Sequence, residues 1–457
     1  MTSDTVGLRA KWVLARTTGK PELVPDGTVV VENGRIADVL RPGDDAGGLE
    51  IVELDSHILL PGFVNAHTHC LSTPLFRGIF EDRAGRQDNG EVIAKVMMPL
   101  GEIISEIGDD DMVEAITSLG MLEAIKAGST TIVDMPRSDH DAFGVAAGKM
   151  GLRAYIHPYL ISGSDGTWTL EQSDGQDAIA EAGMATFHRW RERFDEGPDG
   201  RVRIGLGPHA SDTVTPALMR AIARARDEYD APVTIHLAQS AREGELSRQR
   251  LGLSPTAYLE AVGLLKQELV AAHCLFAADD ELTLMADRGV TIAHCPLSYA
   301  RSGKLASRAR FTGSGVNTVV ACDAHALDIL TDLRLAAINS KYDSGDPGVG
   351  TAWELVECAT HGAAEALGRS DLGRIQSGAT ADLVAVRLDR AHIQPVYDPI
   401  KSLVWYCTGR DVDMVMVGGE TLVRDGTFIR TQETRVIDAA ADALGKVWDL
   451  ARERAII

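Results

Sequence analysis

The chain has 457 residues, 45% hydrophobic and 24% charged, with a formal net charge of -21. That balance provides ample apolar core, and its acidity opposes nucleic acid or an anionic membrane as a partner. No apolar run is long enough to span a bilayer and residues 1–20 lack the apolar stretch of a secretory signal, so a cytoplasmic protein of more than one domain is expected.

Taken in chain order, Thr28–Val31 and Arg35–Val39 read as strands around Glu32-Asn33-Gly34, a hairpin signal because Asn-Gly reaches positive φ cheaply. Ile51–Leu54 and His57–Leu60 follow as two further strands around Asp55-Ser56. At Pro61-Gly62-Phe63-Val64-Asn65-Ala66-His67-Thr68-His69 the pattern changes. From here short β-branched runs stop at a residue able to do chemistry, with later ones closing on Asp134, His157, His209, His236, His273, His294 and Asp323. Helical stretches lie between them. They include Asp109–Ala127, Asp177–Phe194, Thr215–Tyr229 capped by Thr213 or Thr215, and Asp279–Arg288 with Asp279 as N-cap. Val316–Cys322 is the last strand of this array.

Strands that end in His or Asp and alternate with helices are the pattern of an α/β protein of the (β/α)8, TIM-barrel type, with its active site at the carboxyl ends of the strands. Strand patterning returns at Ala381–Val386, Met414–Val417 and Thr421–Val423. Two all-β pieces flanking one βα array predict a small β-sandwich assembled from both ends of the chain. The expected divisions are 1–60 and 370–430 for the sandwich, 61–369 for the barrel and 431–457 for a final helix. The six cysteines show no zinc-ribbon spacing and are read as small buried hydrophobes in a reducing compartment.

His67 and His69, two residues apart on one strand, share a face. His236, His273 and Asp323 also end strands, so all five are expected at one mouth. Three imidazoles and a carboxylate with one open position suit Zn2+, and Fe2+ or Co2+ accepts the same set.

Pro-Gly-Phe-Val-Asn-Ala-His-Thr-His, Thr-Ile-His-Leu-Ala-Gln, Ala-Ala-His-Cys, Ile-Ala-His-Cys-Pro and Cys-Asp-Ala resemble the amidohydrolase superfamily over nearly the whole chain. The branch they are most similar to holds the nucleobase, S-adenosylhomocysteine and triazine aminohydrolases. Asp371-Leu372-Gly373-Arg374-Ile375-Gln376-Ser377-Gly378 resembles that family's re-entry into the sandwich. The resemblance implies one divalent metal on His67, His69, His236 and Asp323, with Asp323 also the general base. It implies that His273 polarises the attacked group or steadies the tetrahedral intermediate, and that His209 contacts substrate. No lysine ends the fourth strand, Arg203 to His209, which argues against a two-metal centre bridged by a carbamylated lysine.

The chain departs from that family where substrates are told apart. The usual Glu three residues after the fifth-strand His is Gln239, and an amide donates a hydrogen bond but does not titrate near neutral pH. Glu243 and Glu245 stand downstream as replacements for the acid. Ser298-Tyr299-Ala300-Arg301-Ser302-Gly303-Lys304-Leu305 and Asp323-Ala324-His325-Ala326-Leu327-Asp328 also differ, which adds His325 and Tyr299 as candidate substrate contacts.

These departures favour a metal-dependent hydrolase that cleaves a C–N or related C–heteroatom bond in a small, largely uncharged molecule. Ureas, amides, carbamates or thiocarbamates and triazines are the expected classes, as in phenylurea- and thiocarbamate-type relatives. The alternative is a deaminase of a heteroaromatic ring. An inert scaffold is opposed by the retention of all five metal-site positions. The acidic surface and the helix around Ala439–Leu450 fit a homo-oligomer. Leu71–Val96 is a candidate lid, with Phe76, Phe80, Met97 and Met98 as pocket lining.

Overall fold

The computed structural model describes residues 5–79, 81, 93–138, 140–162, 176–195, 197 and 200–457. Phe63–Thr68, Ser129–Asp134, Arg153–Ile156 and Val202–Ile204 make one four-stranded parallel sheet in that order. Val233–Leu237, Leu269–His273, Thr291–His294 and Asn317–Val320 make a second. Parallel bridges Leu206↔Val233 and Thr68↔Asp323 join the two sheets at both seams, so the strand order runs round and returns to its start. Ser129–Asp134 is buried at every residue, as a parallel strand covered on both faces must be. The last strand is shorter than its apolar run because Asp323 turns away at φ 64° while its N–H still bonds His67 O at 2.9 Å.

The intervening helices form largely where periodicity places them. Asp109 caps Asp110–Lys126 by accepting from the N–H groups of Asp111 and Met112. Thr215, not Thr213, caps Pro216–Tyr229. Asp279 is not a cap: it is the first helical residue, the N-cap position is Ala278, and the Glu281 side chain accepts from the Ala278 N–H at 2.8 Å. The Asp279 carboxylate instead pairs with Arg310 at 2.8 Å.

The flanking β structure is one eight-stranded sheet rather than two stacked sheets. Its order is Thr427–Phe428, Glu420–Arg424, Val412–Val417, Leu383–Arg387, Glu50–Pro61, Thr5–Ala15, Glu22–Glu32, Arg35–Leu40. The sheet curls until its last edge reaches residues 378–381, where Ile36 N–H bonds Ala379 O at 2.8 Å and Ala381 N–H bonds Gly34 O at 2.9 Å. Leu8, Val13, Val29, Ile36, Leu59 and Leu383 fill the interior of that curl. Asp55-Ser56 is no turn. The register moves from Ala10↔Leu54 to Trp12↔Ile58, so the two residues sit in a bulge within one long strand. Thr5–Ala15 escapes the sequence pattern because the consecutive Trp12-Val13-Leu14 break its alternation at the same place.

Asn33 and Gly34 take φ 51° and 77°, the hairpin expected from Asn-Gly. A Cβ at Gly34 would stand 2.7 Å from Gly418 O, so the turn also needs glycine for the sheet to close on itself. Between the two β assemblies, Arg153 donates to Asp382 through Nε at 2.7 Å and Nη2 at 3.2 Å, with both side chains buried. Asp382 Oδ1 also accepts from Gly418 N–H at 2.7 Å.

The helix Glu433–Glu453 buries Ala440, Ala443, Leu444, Val447 and Ala451, packing on Asp110–Lys126 and Met98–Ile107. Its apolar face is therefore used within its own chain and gives no support to an oligomer. Among the described residues no helix is long and apolar enough to cross a membrane. All six thiols are buried and unpaired. Phe76 packs in the main core, whereas Phe80 and residues 82–92 of the proposed lid lie outside the described residues.

Candidate metal-centred site

His67, His69, His236, His273 and Asp323 converge at the carboxyl ends of the parallel strands. The ligand atoms of His67, His69 and His236 lie within 4.8 Å of one another, as do those of His67, His273 and Asp323. Asp323 Oδ1 stands 3.5 Å from His69 Nε2 and 3.8 Å from His67 Nε2. All five residues are buried. The backbone at and beside the cluster is unusual as well: His273 and Asp323, with the nearby Ala238 and Cys274, have φ of 78°, 64°, 45° and 52°. Non-glycine residues pay about 1–3 kcal/mol for that region, a cost that concentrates at functional sites.

His69 Nδ1 lies 2.7 Å from Met135 O and His236 Nδ1 lies 2.8 Å from His209 O. A carbonyl only accepts, so each Nδ1 carries the proton and each Nε2 presents a lone pair. Those two Nε2 atoms face each other at 3.2 Å. Protonation does not relieve the repulsion, since burial pushes His69 down to about 4 and, with His67 beside it, pushes His236 well below the usual range. Both nitrogens of fully buried His67 are without a hydrogen-bond partner. Burial pushes the Asp323 carboxyl up, but His273, His325, His69 and His67 around it outweigh that and hold it far below the usual range. Lone pairs converging on one point beside an ionised carboxylate fit a divalent metal ion, and the backbone carbonyls behind the rings orient them for it.

The remaining candidates surround this cluster. His209 gives its Nδ1 side to Thr213 Oγ1 at 2.7 Å and leaves Nε2 unpartnered, with its ring centre 5.0 Å from that of His236. Tyr299 is buried, and its hydroxyl donates to Gln239 O at 2.9 Å. Its one proton is thus committed to holding the Gln239 loop, which leaves it only an acceptor role towards substrate. His325 does not face solvent: its side chain is 8% exposed and its Nε2 accepts from Arg301 Nε at 2.9 Å. Ser298 hydrogen-bonds Asp323 Oδ2 through its hydroxyl. Ser298, Arg301, Tyr159 and Arg137 are the neighbours that sequence reasoning did not single out. Ser298 and Arg301 sat inside a segment already marked as divergent, which was the available signal. Of the other strand-end residues, His294 bonds Ala306 O at 2.9 Å, Asp134 accepts from Thr68 and Cys70 at 2.7 Å, and His157 packs under Gly205; none joins the metal cluster.

The two possible substitutes for the missing acid separate cleanly. Glu245 is exposed on its helix. Glu243 is buried, accepting from Gln239 N–H at 2.8 Å and from Ser211 Oγ at 2.9 Å. It ties the loop after the fifth strand to the loop after the fourth. Burial, then the nearby Asp212, pushes its carboxyl up to about 8 from 4.5. The folded state therefore binds this proton more tightly than the unfolded chain. The contribution to stability is complete below about 4.5 and is lost as pH rises through 8. Glu243→Gln is expected to flatten that slope between pH 5 and 8 in denaturant titrations. At pH 5, where the folded carboxyl is already neutral, the amide should keep stability within about 1 kcal/mol, because it accepts from Gln239 N–H and donates to Ser211 Oγ. An unchanged slope shows that the proton resides elsewhere.

A cluster of this kind, at the ends of parallel strands, defines a metal-dependent hydrolase. The chain belongs to the amidohydrolase family, whose model matches residues 58–422. It is 33% identical to the 5'-deoxyadenosine deaminase of Methanothermobacter thermautotrophicus, over 92% of this chain and 95% of that one. It is 28% identical to the 5-methylthioadenosine/S-adenosylhomocysteine deaminase of Nitratidesulfovibrio vulgaris, over 99% of this chain and 98% of that one. In fold it superposes on the zinc complex of an atrazine chlorohydrolase from Arthrobacter aurescens TC1, at 24% identity and TM-score 0.85, covering 96% of this chain and all of that one (100%). The chain is therefore a metal-dependent amidohydrolase, and the two relatives named as deaminases stand nearer the heteroaromatic-deaminase alternative than the urea, amide and carbamate reading.

Proposed function

We propose that the chain is a mononuclear aminohydrolase, a (β/α)8 barrel over residues 61–369 with a small β domain from 1–60 and 370–430 and a final helix at 431–457. It adds water to a ring carbon of a heteroaromatic substrate, an adenine-type nucleoside first among the classes, and releases ammonia. The observation that carries this reading is the convergence of His67, His69, His236, His273 and Asp323 in a chain whose relatives are named as deaminases.

His67, His69, His236 and Asp323 would hold the ion, with Zn2+ the first choice for three nitrogens and an oxygen. Such an ion supplies Lewis acidity that lowers the pKa of water from 15.7 to about 7. Asp323, fixed by the Ser298 hydroxyl, takes the proton of the attacking water. His273 steadies the charge that develops on the attacked carbon's substituents, and the unpartnered His209 Nε2 contacts the ring. The water oxygen bonds to carbon, the second water proton moves through solvent from the added hydroxyl to the ring nitrogen, and the C–N bond to the amino group breaks. Asp323 returns its proton to the departing amine. Gln239 donates a hydrogen bond to the ring nitrogen but does not transfer a proton to it.

Gln239→Glu is therefore expected to raise ammonia release by about 100-fold or more, the range of a positioned general acid. An unchanged or lower rate counts against ring deamination. Gln239 itself supports a second reading, hydrolysis of a linear urea, amide or carbamate, which needs only leaving-group protonation. A pooled substrate screen in 18O-labelled water separates the two: ring oxygen labelled with ammonia freed, or labelled acid or carbonate with an amine freed.

A further inference from the structure

Beside the metal cluster lies a cavity of about 240 Å3, framed by the helix Met98–Ile107 and the segments after the second and third parallel strands. Arg137, Tyr159 and Met98 line it. The Tyr159 ring connects it to the centre, 4.8 Å from the ring of His209 and 6.3 Å from that of His236. Arg137 lies over two aromatic faces, its guanidinium carbon 5.1 Å from the Tyr159 ring centre and 5.9 Å from that of Phe76. Aromatic faces hold such a cation in place without neutralising it.

Among the described residues Arg137 makes no ion pair. Its Nε is buried without a partner, and its Nη1 reaches only the sulfur of Met98, at 3.5 Å. A thioether is a weak acceptor. The Tyr159 hydroxyl is likewise buried and unpartnered. Buried donors left unmade are costly and rare. Two of them on one wall, next to the reaction centre, point to an acceptor that arrives with the ligand. A guanidinium fork matches two oxygens of one oxyanion. The recognition has to be local, because the net charge of -21 repels an anion at longer range.

We propose that Arg137, assisted by Tyr159, is a specificity-determining residue that binds an oxyanion, a carboxylate in the first instance, on the part of the substrate remote from the reacting ring. The placement of the ring rests on the deaminase reading, and the proposal replaces the expectation of a largely uncharged substrate.

Adenosine serves as the neutral probe, with adenosine-5'-carboxylic acid and S-adenosylhomocysteine as carboxylate-bearing probes of short and long reach. Binding is measured by calorimetry on wild type, Arg137→Met and Arg137→Lys, with ammonia release followed in parallel. At least one carboxylate probe is expected to bind wild type about 10- to 100-fold more tightly than adenosine, the range of a charge-assisted hydrogen bond. Arg137→Met removes that advantage and leaves adenosine binding within about threefold, while Arg137→Lys keeps part of it, as a point charge without the fork would. No carboxylate advantage in wild type, or one that survives Arg137→Met, overturns the proposal. Carboxylate-selective binding lost in Arg137→Met but without ammonia from any probe leaves Arg137 in its role and removes the adenine-type deaminase reading.

Discussion

Asp323→Asn is expected to lower kcat by about 100- to 10,000-fold, the contribution of a positioned acid–base group, while the far-ultraviolet circular dichroism stays that of wild type. The substitution keeps shape and burial but removes the charge that the surrounding imidazoles stabilise and the group that takes a proton from water. His236→Ala should be as severe by a different route, because it deletes one of two facing Nε2 lone pairs. Its metal content should fall below one ion per chain, whereas His294→Ala, whose ring bonds Ala306 O away from the cluster, keeps its metal. Full turnover by Asp323→Asn or His236→Ala would sink the assignment of this site.

The second large effect is on stability. Asp382→Ala leaves the Arg153 guanidinium buried without its carboxylate and Gly418 N–H without its acceptor. Breaking a buried pair from one side costs about 3–5 kcal/mol. Replacing both partners by apolar residues of similar volume should restore most of that loss, because no uncompensated charge then remains. The Arg153–Asp382 contact lies outside the metal cluster, so the folded fraction of Asp382→Ala should turn over at the wild-type rate. A loss below about 1 kcal/mol in denaturant titration would show that water reaches Arg153.

The central strands were legible because covered parallel strands are apolar throughout and stop where a reactive side chain begins: Leu269–His273 matches to the residue. The metal cluster was legible for the same reason, since the end of such a strand is a fixed address. What escaped was of another kind. The strand Thr5–Ala15 bends at a register shift that breaks its alternation. Glu50–Pro61 looked like two strands because its bulge carries Asp-Ser, a common turn pair. That His157 and His294 stay out of the cluster while His273 joins it depends on where each ring turns, and periodicity does not encode that. Arg137 stands three residues beyond Asp134, in a segment without pattern, and only its missing counter-charge in three dimensions draws notice. The reading towards ureas and carbamates rests on one amide, Gln239, whereas the framework as a whole is shared with relatives named as deaminases.

The strand Glu50–Pro61 sits between Thr5–Ala15 and Leu383–Arg387 in the curled sheet, and this has a consequence for biosynthesis. When Pro61 leaves the ribosome its partner Leu383 is still 322 residues away (383 minus 61). At about 5–20 residues per second the nascent chain carries an open apolar strand edge for roughly 15–65 s. Such an edge is a template for pairing with other chains. Recombinant yield should therefore respond to translation speed and to chaperone supply more than to any single substitution in the metal cluster. Supplying residues 370–457 in trans should rescue fragments that end before the final strands.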